Sequence, residues 1–371
     1  MNVLVIGASV GGLTVVEALR AKGFDGMIRL VGEERHRPYD RPPLSKEVLT
    51  ESWPMERTLL RGDDPPDCDL VLGRRAVHLD LGVREVALDD GRRLPYDRLV
   101  IATGLTPRRL PGQRLLAGVH TLRTIDEAIA LRAALHAATR VAVAGAGVLG
   151  CEIAAAARTL GLPVTLVDPA QVPMARQLRT TLGRMVGAMH EKQGVELRLG
   201  TGVASFLGTA RVEGLELTGG GTVPADLVVV TAGSVPATGW LNGTGLGLND
   251  GVECDAYGRA APDVYAVGDV ARYPHGRVES RTNATEQALT VAANIMGEER
   301  PFSTIPYFWS DQYGVKIQVH GTIGPHDRIR WTDGDPEQPR WVALAENGEA
   351  VTAAVGWNHP RGARLARRQV G

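Results

Sequence analysis

Cysteine is scarce: Cys68, Cys151 and Cys254 are the three in 371 residues, and no CxxC pair occurs. That excludes a disulfide scaffold and a sequence-local metal knuckle, and no metal site is expected. Lysine is also rare. It stands only at positions 22, 46, 192 and 316, while the other 37 basic residues are arginine. Such a bias, with abundant alanine, reads as coding composition, so a lysine kept against it points to a need for an ammonium. Net charge is nearly absent at −1, which leaves no basic field for nucleic acid. No apolar run reaches the roughly 18–20 residues that span a bilayer; the longest candidate, residues 141–157, is broken by Glu152. The apolar start, Met1 to Leu19, has no positive leader region and meets a glycine turn at Gly7, so it does not read as a secretory signal. A cytoplasmic protein is expected, without nucleic-acid or membrane partners.

What is present is an ordinary globular composition, 44% hydrophobic and 22% charged, which excludes a disordered chain. The length predicts two or three domains. Glycine is abundant: 45 of 371 residues, against a usual share of about 7%. Residues 2–6 read as a buried strand, Gly7-Ala8-Ser9-Val10-Gly11-Gly12 as a turn, Leu13 to Lys22 as a helix, and Met27 to Val31 as a second strand ending at Glu33. The pattern returns at strand 140–144, loop Gly145-Ala146-Gly147-Val148-Leu149-Gly150, a helix to about Leu160, and strand 163–167 ending at Asp168. Strand, glycine turn, helix, strand and acid form the dinucleotide-binding unit. Two copies suggest two nucleotide sites. Strands ending at Thr103-Gly104 and at Ala232-Gly233 flank the second copy and read as crossovers between domains. A further strand ends at Gly268-Asp269. After about Arg300, short alternating runs predict a small α+β tail with antiparallel strands.

The chemistry of the loops follows from their glycines. A pyrophosphate needs backbone N–H donors and a helix N-terminus at close range. The second loop fits through Gly145, Gly147 and Gly150; the first offers Gly7 and Gly12 but has Ser9 at the middle position. Glu33 and Asp168 would accept hydrogen bonds from a ribose diol. Asp168 would also repel a 2′-phosphate, which favours NAD over NADP.

Several separated motifs carry a family resemblance. They are Pro38-Tyr39-Asp40-Arg41-Pro42-Pro43-Leu44-Ser45-Lys46, the loop 147–152 with Glu152, the Ala-Thr-Gly and Tyr-Ala-Val-Gly-Asp strand ends, Arg277 to Ala284, and Tyr307 to Gln312. Together they resemble the oxygenase-coupled, FAD-dependent NADH:ferredoxin reductases, the putidaredoxin, rubredoxin and aromatic-dioxygenase reductase type. The resemblance covers essentially the whole chain. It implies an α/β fold with two Rossmann-like dinucleotide-binding domains plus a small C-terminal α+β domain. FAD would occupy residues 1–106 and 231–300, NADH would occupy 107–230, and the tail 301–371 would cover the flavin. Glu33 would bind the FAD ribose, Ala76 the adenine, and Asp269, beside Gly268, the ribityl–pyrophosphate region. Arg123, Arg281 and Trp309 would lie around the flavin, and Arg41, Thr103, Gly104 and Gly233 would be further cofactor-binding residues. Arg176, on the NAD side, leaves room for NADP. Lys46 and Glu152 would be a buried ion pair beside the flavin.

The activity so implied takes a hydride from NADH and passes single electrons to a 2Fe–2S ferredoxin that supplies an oxygenase. An NADH oxidase or diaphorase, and a redox-sensing interaction flavoprotein, remain alternatives. Cys151 reads as a small buried hydrophobe, and no cysteine lies near residues 38–48 to serve a thiol relay. Arg361, Arg364, Arg367 and Arg368, and a second group at Arg108, Arg109 and Arg114, are candidates for steering an acidic ferredoxin.

Overall fold

The run Val3-Leu4-Val5-Ile6 has no polar face because both faces of its strand are covered. In a computed structural model, which describes all residues except Asp63, Pro111, Gly112, Arg114 and Leu115, Val3 and Val5 enter one hydrophobic cluster and Leu4 and Ile6 another. Alternate residues of a strand point to opposite faces, so a strand buried on both sides reads as continuously apolar.

Six α-helices occur among the described residues: α1 Val10–Ala21, α2 Ile125–Ala137, α3 Val148–Thr159, α4 Ala175–Lys192, α5 Arg281–Ile295 and α6 Pro360–Ala366. The chain divides into two compact units. Residues 1–40, 56–106 and 234–306 form the first; residues 41–55, 107–233 and 307–371 form the second.

In the first unit a six-stranded sheet runs Arg259–Ala261, Val264–Ala266, Arg98–Ile101, Asn2–Ile6, Met27–Val31, Asp69–Val71. All neighbours are parallel except the first pair. Helices α1 and α5 pack together on it through Leu13, Val16, Ala288 and Val291. Asn2–Ile6 lies between Met27–Val31 and Arg98–Ile101, so the strand order reverses at its C-terminal end, where such sheets place their ligands.

The second unit repeats the plan. Its parallel sheet runs Val195–Leu199, Val164–Asp168, Val141–Ala144, Leu227–Val230, Val119–His120. Leu227–Val230 is thus a full member of this sheet, paired with Val141–Ala144, rather than the crossover its sequence position suggested. The crossing falls one step later, at the ribbon of Leu105–Pro107 with Ser234–Pro236. The tail is a five-stranded antiparallel sheet in the order Tyr307–Gln312, Val315–Gly321, Ala350–Trp357, Trp341–Asn347, Arg328–Asp333, with α6 against it. The expected fold class is borne out: two Rossmann-like sheets and a small α+β domain.

Candidate active site

Both glycine loops are built by close backbone approach. A side-chain carbon at Gly7 would lie 2.1 Å from the Ala102 carbonyl oxygen, and one at Gly12 would lie 1.9 Å from that of Gly7. In the second loop a carbon at Gly145 would meet the Thr231 carbonyl at 2.4 Å, and one at Gly150 would meet the Gly145 carbonyl at 1.8 Å. Gly7 and Gly145 also have φ near +120°, a region that L side chains rarely enter. The outer glycines are therefore structural necessities of the turn. The middle position differs. A carbon at Gly147 meets nothing within 4 Å, which explains why Ser9 is accommodated at the matching position. Ser9 and Gly147 are the N-caps of α1 and α3, and neither helix has a side-chain cap or an acid in its first turn. The N–H donors at both starts are left for a ligand.

The two strand-end acids are held differently. Glu33 stands exposed after Met27–Val31. Asp168 accepts from the Ala146 N–H at 2.6 Å and the Ala170 N–H at 2.7 Å, so its carboxylate is fixed against its own glycine loop. Arg176 is exposed in the first turn of α4.

Lys46 and Glu152 come together in the second unit. Glu152, on α3, is 5% exposed. Lys46 Nζ donates to its Oε2 at 3.2 Å and Ser45 Oγ to the same oxygen at 2.6 Å; Ser310 Oγ, on the strand Tyr307–Gln312, donates to Oε1 at 2.8 Å. A carboxylate with three donors, one of them a cation, is satisfied although out of water. The loop is anchored further on: the Arg41 guanidinium donates to the Arg123 carbonyl, and the Arg123 N–H donates to Glu127 at 2.7 Å within the capping box of α2. Sequence reasoning found Lys46 and Glu152 but missed Ser45 and Ser310. A serine beside the scarce lysine, and a polar residue at a buried register of a strand, were the available signals.

The other expected residues take these places. Ala76 is buried at the start of the strand Ala76–Asp80. The Thr103 hydroxyl donates to the Ala237 carbonyl at 2.9 Å, and Gly104 and Gly233 both have positive φ. Gly268, with φ +76°, donates its N–H to the buried Gln287 at 2.7 Å and opens a 3₁₀ turn that carries Asp269. Arg281 begins α5 and pairs with Asp40 at 2.9 Å, an ion pair not foreseen. Trp309 is half-buried and stacked on Tyr307, which stacks in turn on His320. Arg361, Arg364, Arg367 and Arg368 are exposed. Only Arg361 and Arg364 share α6, because Arg367–Gln369 is a 3₁₀ turn. Arg108 and Arg109 are exposed, and Arg114 lies outside the described residues. Burial pushes the Cys68 thiol up to about 11 and the Cys254 thiol to about 12, and raises that of Cys151. None is a ready thiolate. Among the described residues no helix is long and apolar enough to cross a membrane.

Residues 1–288 match the family described as pyridine nucleotide-disulphide oxidoreductase, and residues 307–371 match the reductase C-terminal domain. The chain belongs to the pyridine nucleotide-disulphide oxidoreductase family. Among curated relatives, the ferredoxin–NAD(+) reductase component of the p-cumate 2,3-dioxygenase system of Pseudomonas putida is 38% identical over 377 residues, covering 100% of this chain and 93% of that protein. Rhodocoxin reductase of Rhodococcus erythropolis is 38% identical over 381 residues, covering 99% and 89%. Among solved structures, the covalent putidaredoxin reductase–putidaredoxin complex matches with a TM-score of 0.93 at 32% identity, over 99% of this chain and 92% of that chain. The narrower resemblance read from the motifs, to ferredoxin reductases of oxygenase systems, is borne out. The family implies FAD and NADH, and the residues present fit two dinucleotides. Each sheet has a glycine turn at its switch point, an uncapped helix start, and an acid at the next strand end.

Proposed function

We propose that the chain is a FAD-dependent NADH:ferredoxin reductase that supplies an oxygenase through a 2Fe–2S ferredoxin. The observation that carries this is the full-length match to a ferredoxin–NAD(+) reductase component. Of residues 1–106 and 231–300, the stretch 41–55 folds with the second unit; the rest would hold FAD, with Gly7, Ser9, Gly12 and Glu33 toward its pyrophosphate and ribose. Residues 107–230 form the NADH domain, with Gly145, Gly147 and Gly150 at the pyrophosphate and Asp168 toward the ribose, which favours NADH. FAD supplies the conversion of one hydride into two single electrons. By the family resemblance Lys46 would offer its positive charge to the flavin, and Glu152 orients that ammonium. The buried thiols argue against disulfide reduction by this member. The protein works in the cytoplasm.

NADH-driven cytochrome c reduction in air, with and without an added 2Fe–2S ferredoxin, tests the reading. A large ferredoxin-dependent increase is expected. NADH consumption with peroxide and no such increase would identify an oxidase. No NADH consumption in either case would turn attention to a redox sensor.

A further inference from the structure

Beyond Ser310, the hydrogen bonds of Glu152 continue through the second unit. Gln312 Nε2 donates to Ser310 Oγ at 2.9 Å, His190 Nε2 lies 2.9 Å from Gln312 Oε1, and Tyr313 OH lies 3.1 Å from His190 Nδ1. Ser310 and His190 are fully buried, and Gln312 is 1% exposed. The direction of the chain is forced. Ser310 has one hydroxyl hydrogen, and the Oε1 of an ionised Glu152 takes it. Ser310 Oγ can then only accept from Gln312, which must present its amide nitrogen. With the amide turned the other way, its oxygen and the carboxylate would compete for one hydrogen. Gln312 Oε1 therefore faces His190 and requires an N–H there. The proton of His190 sits on Nε2, and Nδ1 accepts from Tyr313. Burial lowers the imidazole from its ordinary range, in keeping with a neutral ring.

We propose that His190, with its proton on Nε2, is a positioning residue that holds Glu152 toward Lys46 through Gln312 and Ser310. The tautomer of a histidine on α4 and the hydrogen bond that a glutamate on α3 accepts from Ser310 are then one linked state. The role rests on the proposed flavin reduction by NADH, but the linkage can be read without it.

The test is 15N NMR of histidine-labelled protein at pH 7, in the wild type and in Glu152→Gln. The wild-type His190 signal is expected to be that of the neutral Nε2–H tautomer. In Glu152→Gln the new amide oxygen stays with Lys46 and Ser45, and its nitrogen donates to Ser310. Ser310 then donates to Gln312, that amide turns over, and the His190 proton moves to Nδ1. An imidazolium or Nδ1–H tautomer in the wild type, or no change in Glu152→Gln, would overturn the proposal. In stopped-flow reduction by NADH, His190→Leu should be slower by roughly tenfold, the scale of one buried hydrogen bond. His190→Gln, which restores an N–H toward Gln312, should return to within about twofold. Equal rates for wild type and His190→Leu would also overturn it. A wild type that NADH does not reduce would sink the functional reading, and the tautomer comparison would still decide the linkage.

Discussion

At the scale of single residues, the proposed chemistry turns on the buried pair of Lys46 and Glu152. Lys46→Met should retain FAD, because the glycine turn of the first unit is untouched. It should slow flavin reduction by NADH by about ten- to a hundredfold, the worth of a charged hydrogen bond. An unchanged stopped-flow rate would remove Lys46 from the reaction. Glu152→Ala leaves the Lys46 ammonium, whose side chain is 12% exposed, without its partner; a stability loss of roughly 3 kcal/mol is expected in urea unfolding. The pair itself was legible in the sequence because lysine is scarce there and the flanking motifs are specific. Its supports were not. Ser310, Gln312 and His190 stand 158, 160 and 38 residues from Glu152. Their pairing depends on a strand register that no local pattern encodes.

Among the elements, the two strand–turn–helix units were the most readable part of the chain. Their glycines are dictated by backbone contacts within a few residues, and their strands by burial on both faces. The endpoint of Leu227–Val230 was less readable, since a buried parallel strand looks the same whichever sheet it joins. The loops give a sharp test. Gly150→Ala places a carbon 1.8 Å from the Gly145 carbonyl and should destabilise the second unit. Gly147→Ala meets no protein atom within 4 Å, so its melting temperature should equal the wild type's. NADH affinity should fall, but by about tenfold at most, because the methyl narrows the approach of the pyrophosphate while the first loop keeps a side chain at its matching Ser9. Titration of NADH binding separates the two outcomes. In the tail sheet, burial and then the nearby Arg367 hold His320 down to about 4. The unfolded chain, with an ordinary histidine near 6.5, binds more protons between these values. This contribution to stability is therefore complete above about pH 6.5 and is lost as pH falls toward 4. His320→Gln should flatten the acid-side decline of the melting temperature across that window; an unchanged slope would deny the effect.

For the molecule as a whole, net charge of −1 gives no global field, so attraction of an acidic ferredoxin must be local. The exposed arginines 361, 364, 367 and 368 are the candidates for it. The ferredoxin-dependent rate should fall steeply between low and moderate salt, and more weakly in Arg364→Glu/Arg368→Glu; a flat wild-type salt profile would leave the arginines as ordinary solvated surface. The division of the chain also has a consequence for recombination. Residues 41–55 fold with 107–233 and 307–371 rather than with the segments that flank them. A chimera that imported only the middle third from a relative would bring a new glutamate and strand its lysine and two serines in the host. Exchangeable blocks in this family should therefore be drawn as three discontinuous stretches moved together, with junctions after Asp40, Met55, Thr106, Gly233 and Pro306.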